Sequence, residues 1–482
     1  MNTEQQRDSD MITILHTNDL HSHFENMGIL AAIADEYRQR CGDEHVLLLD
    51  IGDHMDRMAM ETEGSSGGAN VDILNMTGYD AITIGNNEGL TYTPEILNQT
   101  YAGIVSPVIC SNVIEYETGA PPVWMEPYRI IEKSGWTIGL VGATAPYGDF
   151  YDILGWNVSE PLASLQPLIR QLRGQVDLLV LMSHLGLSTD QRLAEQLPEL
   201  DVILGGHSHH VLERPLQIGH TVVGAAGKFG HYMGYMSWQK DVHGNRPRLL
   251  DSGLVPTSPE MERSAEIEAA IVLHRQRAEE RMSHAIAMLE RPLDINYEHE
   301  SPLGNLLAQA VRRYTGAELS IVNSGQLLGP LPAGEISEAL LHRLCPSPIN
   351  PCLTLLKGSS IRQALEQSLL GEFTHKPIMG YGFRGKVLGG LCVDGMNVHV
   401  DWSRPPYERI TSIKIGTEIL DDQREYSVGS LDMFTFRIGY ESLSESAGVT
   451  YMLSEFIRDL LRSELQTPGA VSSCAGARWF ML

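Results

Sequence analysis

The segment Leu204-Gly205-Gly206-His207-Ser208-His209 sets two imidazoles one residue apart behind a pair of glycines. In extended backbone, residues i and i+2 face the same way, so such a pair can grip one cation or two neighbouring ones. Asp19-Leu20-His21 repeats the spacing with a carboxylate in the first place. A solvated turn would also carry the two histidines, and an aspartate at position 19 suits the cap of a following helix. Neither stretch settles the chemistry alone. Three further clusters, Gly52-Asp53, Gly85-Asn86-Asn87-Glu88 and Ser183-His184, add Asp53, Asn86 and His184 to the candidates. The combined set, Asp19, His21, Asp53, Asn86, His184, His207 and His209, offers nitrogen and oxygen without thiolate. Such donors suit Zn²⁺, Mn²⁺, Fe or Co²⁺ and do not choose among them. Two such ions held about 3.5–4 Å apart lower the pKa of a shared water and clamp a phosphate for in-line attack.

Each cluster follows an apolar run: Met11 to Thr17, Val46 to Leu49, Ala81 to Ile84, Leu178 to Met182 and Val202 to Leu204. Helical patterns alternate with them, for example from Pro161 to Leu172 and from Ser188 to Leu197, so the expected class is α/β. Ligands of such folds collect beyond the carboxyl ends of the strands. Five strand ends carrying Asp, His or Asn therefore point to one site. His23, His54, His210 and His231 lie near the motifs in sequence and are expected to be structural or solvent-facing.

With 482 residues the chain is long enough for more than one domain. Its formal charge of -26 excludes nucleic acid as a general partner, because no Lys/Arg excess is available to neutralise phosphates along a strand. An anionic small molecule needs a local positive centre, which bound cations supply. Residues 1–10 are polar and acidic without an apolar core segment, so the expectation is a cytoplasmic protein with no membrane span. Six scattered cysteines without a CxxC pair suggest reduced, mostly buried thiols.

Pro256-Thr257-Ser258-Pro259 marks a boundary, and the charged stretch from Glu260 to Leu289 reads as a helix ending before Pro292. Ser301-Pro302 then opens a helix to Gly316 with Leu303, Leu306, Leu307, Ala310, Val311 and Tyr314 on one face. A strand from Leu319 to Val322 and a helix from Gly358 to Glu366 follow.

The ordered motifs Asp19-Leu20-His21, Gly52-Asp53, Gly85-Asn86, Ser183-His184 and Gly206-His207-Ser208-His209 resemble those of the calcineurin-like metallophosphoesterases, most closely the 5′-nucleotidase and UDP-sugar hydrolase family. The resemblance implies a metallophosphoesterase domain over residues 11–255, a β-sandwich flanked by helices. It implies a connecting helix over 256–292 and an α/β substrate-binding domain over 293–482. Asp19, His21 and His209 would hold one metal, Asn86, His184 and His207 a second, and Asp53 would bridge them. The implied substrate is a small phosphate ester, a nucleotide or its relative.

The chain departs from the family in places. Histidine is usual where Asn87 stands and aspartate where Leu90 stands, a pair that the resemblance implies assists the transition state or the leaving group, so Asn87 is the catalytic candidate in the histidine's place; asparagine can donate a hydrogen bond but cannot carry a proton. In the second domain Asn323-Ser324-Gly325-Gln326-Leu327-Leu328 lacks the family's phosphate-binding arginine, and Phe436-Arg437-Ile438-Gly439-Tyr440 lacks an aspartate. Asn323, with Phe383 and Phe434 as base-stacking rings, is the expected substrate-binding set, and Arg384 or Lys386 would stand in for the arginine. The competing expectations are a nucleotide-sugar pyrophosphatase or cyclic-nucleotide phosphodiesterase, and a binding protein that kept its metals and lost catalysis.

Overall fold

The structure, a computed structural model, describes residues 11–241 and 246–482. The polar segment before Met11, read above as lacking a leader, lies outside the described residues. Two compact units divide at Ala278 and Glu279.

The first unit is built on two sheets. One is seven-stranded and contains β1 (Met11–Thr17), β2 (Val46–Asp50) and β3 (Ala81–Ile82) side by side and parallel. The other is six-stranded and pairs β4 (Leu178–His184) with β5 (Val202–Gly205), also parallel. Side-chain alternation explains their uninterrupted hydrophobicity. Leu178, Val180 and Met182 of β4 turn inward and join Ile12, Ile14, Leu47 and Leu49 of the facing sheet in one core. Leu179 and Leu181 turn outward against Leu165, Ile169 and Leu172 of the helix Pro161–Arg173 and Leu193 of the helix Leu187–Gln196. A strand buried on both faces has no polar side to show, so its sequence reads as a solid apolar run.

Because the three strands of the first sheet run parallel, their carboxyl ends fall at one edge, followed by Asn18–His21, Ile51–Asp53 and Gly85–Asn87. The ends of β4 and β5 deliver His184 and Gly206–His209. The helix expected to follow Asp19 begins as a 3₁₀ turn, Phe24–Asn26, and continues as Met27–Cys41. Helix Ala265–Arg281 lies within the stretch expected to connect the domains and is tied to the first unit by ion pairs of Arg275 with Glu61 and His274 with Asp72.

The second unit carries a five-stranded sheet, Leu391–Asp394, Leu319–Asn323, Glu425–Leu431, Pro351–Lys357 and Val449–Tyr451 in spatial order. Helix Pro302–Thr315 buries Leu303, Leu306, Leu307, Ala310 and Val311 on the core, and Gly316 stops it with φ 66°. Tyr314, placed on that face by its spacing, is exposed instead, because it falls at the edge of the stripe in the last turn. Among the described residues no helix is long and apolar enough to cross a membrane. All six cysteines are free, five of them buried; burial pushes the Cys110, Cys345 and Cys392 thiols up to about 12.

Candidate metal centre

Donor atoms from four of the five strand ends meet within a few ångström. His209 Nε2 lies 3.3 Å from Asp19 Oδ1 and 3.3 Å from His21 Nε2, and His21 Nε2 lies 3.8 Å from the same Asp19 oxygen. On the other side, His184 Nε2 lies 3.3 Å from Asp53 Oδ1 and 3.9 Å from Asp19 Oδ1. Asp19, His21 and His209 form one group able to hold a cation, and Asp19, Asp53 and His184 a second. Metal–ligand bonds of about 2.0–2.2 Å imply neighbouring donors about 3.0–3.4 Å apart in a tetrahedral or octahedral shell, close to the spacings seen. Asp19 is common to both groups, and Asp53 belongs to the second, with Oδ1 3.3 Å from His184 and Oδ2 turned toward His21 at 3.7 Å. The fifth strand end contributes beside His184. His207 Nδ1 sits 2.7 Å from Asn86 Oδ1, and the His184 and His207 ring centroids are 5.3 Å apart. All seven residues picked out by motif thus gather in one place.

The surrounding hydrogen bonds decide which atoms remain available. His184 Nδ1–H donates to the Ile51 carbonyl at 2.7 Å, which turns Nε2 toward the carboxylates; that atom is fully buried and lacks a well-formed hydrogen bond, 3.3 Å from Asp53 Oδ1. A buried imidazole nitrogen so placed is satisfied either by a proton facing the carboxylates or by a cation in the proton's place. Asp19 Oδ2 accepts from Asn18 Nδ2 and the His207 backbone N–H, and Oδ1 faces the imidazoles. The donor chemistry and this buried nitrogen fit divalent cation binding.

Charge tells the same story. Burial opposes ionisation of Asp53, but His184, His21 and the Asn87 backbone N–H outweigh it and hold the carboxyl well below its usual range. Burial likewise opposes a charge on His184, yet the Asp53 and Asp19 carboxylates raise it to about 10. Burial, helped by His184, pushes His207 down to about 4, leaving a neutral ring.

Backbone geometry at the site is strained. Asp19, His21, Asp53, His207 and His209 all have φ between 47° and 69°, the left-handed region that costs a residue with a Cβ roughly 1–2 kcal/mol. Gly85 is required for another reason: a Cβ there would collide with the backbone N and carboxylate of Asp53.

Sequence reasoning passed over several residues that build this arrangement. Glu88, fully buried, accepts the backbone N–H groups of Asp53 at 3.1 Å, Met55 at 2.8 Å and Gly85 at 2.7 Å, clasping two strand-end loops together. An acid two residues after a candidate ligand was the available signal. Tyr147 places its hydroxyl 3.0 Å from His207 Nε2, orienting the ring from behind. Asn87 is also part of the scaffold. Its backbone N–H donates to Asp53 Oδ1 at 2.7 Å, and its side-chain amide reaches His21 Nδ1 at 2.9 Å and the Met55 carbonyl at 3.1 Å. Of the other histidines, His54 is buried between Asp50 and Tyr101, and His23 pairs with Glu25.

The second-unit candidates are placed differently. Asn323 is buried, donating to the Leu388 carbonyl at 2.6 Å and accepting from Gln326 at 3.1 Å. Phe383 and Phe434 are both in the hydrophobic core, with no open ring face for a base. Two residues from each, Tyr381 and Phe436 are exposed and lie 5.7 Å apart, tilted by 30°. Arg384 donates to the Phe383 carbonyl at 3.3 Å.

Comparison with known proteins agrees with this geometry. Residues 12–211 match the calcineurin-like phosphoesterase model, and residues 282–435 match the 5′-nucleotidase C-terminal domain. The uncharacterized metallophosphoesterase YunD of Bacillus subtilis is 37% identical over 95% of this chain and 99% of its own length. The chain belongs to the calcineurin-like metallophosphoesterases. Membership makes it a metal-dependent phosphoester hydrolase. The 5′-nucleotidase of Bos taurus is 26% identical over 84% of this chain and 78% of its own. The Haemophilus influenzae NAD nucleotidase shares the fold at TM-score 0.67 and 15% identity, covering 98% of this chain and 97% of its own.

Two outcomes test the centre. Gly85→Ala forces Asp53 out of place, so the variant should lose metal in elemental analysis and melt lower, by on the order of 1–3 kcal/mol of stability. Cation binding must displace the proton that His184 holds up to about 10, so Mn²⁺ affinity should climb as pH rises from about 6 to 9. Calorimetry showing a pH-independent affinity would contradict this protonation state.

Proposed function

We propose that the protein is a dinuclear phosphoester hydrolase resembling 5′-nucleotidases, acting in the cytoplasm on a nucleotide or a related small phosphate ester. The observation that carries the reading is Asp53, whose two carboxylate oxygens face two separate donor groups. Asp19, His21 and His209 would hold one ion, Asn86, His184 and His207 the other, with Asp53 shared. Divalent ions held there would neutralise phosphate charge and lower the pKa of a coordinated water. The protein's own part is to keep the donors fixed. Asn18 and the His207 N–H orient Asp19, the Ile51 carbonyl orients His184, and Glu88 holds the loop that carries Asp53.

The second unit is the place of substrate selection in this reading. Support comes from the exposed pair Tyr381 and Phe436, whose ring faces can stack on a base. The buried rings of Phe383 and Phe434 would then support that pair from the core, and Asn323 would brace the Leu388 backbone.

A nucleotide-sugar or dinucleotide pyrophosphatase is the second reading, favoured by Asn87. Its amide is engaged with His21 and Met55 and cannot carry a proton to an alkoxide, whereas a phosphate leaving group needs none.

The deciding assay uses protein loaded with Mn²⁺, Zn²⁺ or Co²⁺ against AMP, UDP-glucose, 2′,3′-cyclic AMP and p-nitrophenyl phosphate. Turnover should disappear with chelator and fall at least about a hundredfold in Asp53→Asn, since even outer contacts of metal ligands are worth about 10–100-fold. Full activity in that variant would overturn the proposal.

A further inference from the structure

One loop beside the centre has a side chain whose charge no carboxylate among the described residues answers. Gly227–Gly230 is pinned against the Asp19 loop by three hydrogen bonds. Asn18 Nδ2 donates to the Gly227 carbonyl at 2.6 Å, the Phe229 N–H to the Asp19 carbonyl at 2.8 Å, and Asn26 Nδ2 to the Phe229 carbonyl at 2.8 Å. Phe229 is held there at φ 62°, a conformation that a residue with a Cβ adopts only when its surroundings impose it. The strain places its ring edge-on to His21, with centroids 5.8 Å apart, and against His23, 3.9 Å away.

Over this ring sits the Lys228 ammonium, 4.4 Å from the centroid. Lys228 is half-buried, and among the described residues its ammonium makes no hydrogen bond or ion pair. His23, which packs on the same ring, takes the Glu25 carboxylate at 2.6 Å from its Nδ1. In a chain with 61 acidic and 35 basic residues, a partly desolvated cation without a carboxylate partner is unexpected. Its position makes the point sharper. A single aromatic ring separates it from His21, so once the centre is loaded the ammonium faces further positive charge. An anion lying across both would relieve that repulsion.

We propose that Lys228 binds a second phosphoryl group, next to the one held at the metal centre, so that the site prefers linked phosphates over a lone phosphate. The inference rests on the two-cation reading above and narrows its substrate class to compounds with a phosphoanhydride. The second group would be terminal in a nucleoside diphosphate and bridged in a sugar nucleotide or dinucleotide. A phosphate monoester leaves the Lys228 charge unanswered, whereas a linked diphosphate reaches it. Cation and ring together form a fixed receptor, since the methylene stem is laid along Phe229 before the anion arrives.

The test is calorimetric binding of methylenediphosphonate, which cannot be hydrolysed, and of orthophosphate to the Mn²⁺-loaded full-length protein. Lys228→Met keeps the stem on the ring and removes the charge. The ratio of the two affinities should fall at least about tenfold in Lys228→Met and recover in Lys228→Arg, with unchanged melting in both. An unchanged ratio in Lys228→Met, or failure of methylenediphosphonate to outbind orthophosphate in the unsubstituted protein, overturns the inference. Relative rates on ADP, UDP-glucose and AMP then separate terminal from bridged groups. A ratio that shifts in a protein hydrolysing none of them would keep the anion site and remove the hydrolase reading; brisk turnover with a fixed ratio would do the reverse.

Discussion

Two buried carboxylates, Asp19 and Asp53, stand within reach of the same imidazoles, and the molecule is arranged around that proximity. Like charges in a low-dielectric setting repel, and each raises the cost of ionising the other. Here His184, held protonated to about 10, offsets part of that repulsion. A proton on His184 is a partial answer. A cation in that proton's place would satisfy the carboxylates and the imidazole together, and five of the seven candidate residues are held in left-handed backbone that aims them at one point.

The sandwich beneath makes such expenditure tolerable. Its strands are buried on both faces, so the sheet edge is rigid and the loops leaving it begin from fixed points. Parallel pairing matters equally. With β1, β2 and β3 aligned, their ends open on the same side, and residues more than sixty positions apart become neighbours. Loop-to-loop bonds complete the frame, Glu88 clasping the Asp53 and Gly85 backbones and Asn18 holding both Asp19 and the Gly227 loop.

Much of this was legible in the chain. Apolar runs ending in Asp, His or Asn specify both the strand and the polar residue at its tip, so the α/β class and the convergence of seven candidate residues followed from local pattern and family resemblance. What was hidden depends on contacts between segments. Nothing in the string marks Phe229 as strained or Lys228 as unpaired, since both properties come from packing against residues two hundred positions earlier. Phe383 and Phe434 illustrate the limit. Aromatic rings near a suspected ligand region carry no label for the face they present, and a shift of two positions separated the buried Phe383 and Phe434 from the exposed Tyr381 and Phe436. Asn87 could be read as a missing proton carrier, while its bonds to His21 and Asp53 appear only once the loops are folded together.

The account stands or falls on whether cations occupy the place where these side chains meet. Anomalous diffraction from crystals of the protein reconstituted with Mn²⁺ or Zn²⁺ answers that directly. Two peaks are predicted on either side of the Asp53 carboxylate, one beside His21 and His209 and the other beside His184 and His207. An absence of peaks at full reconstitution, or peaks remote from Asp53, would contradict it.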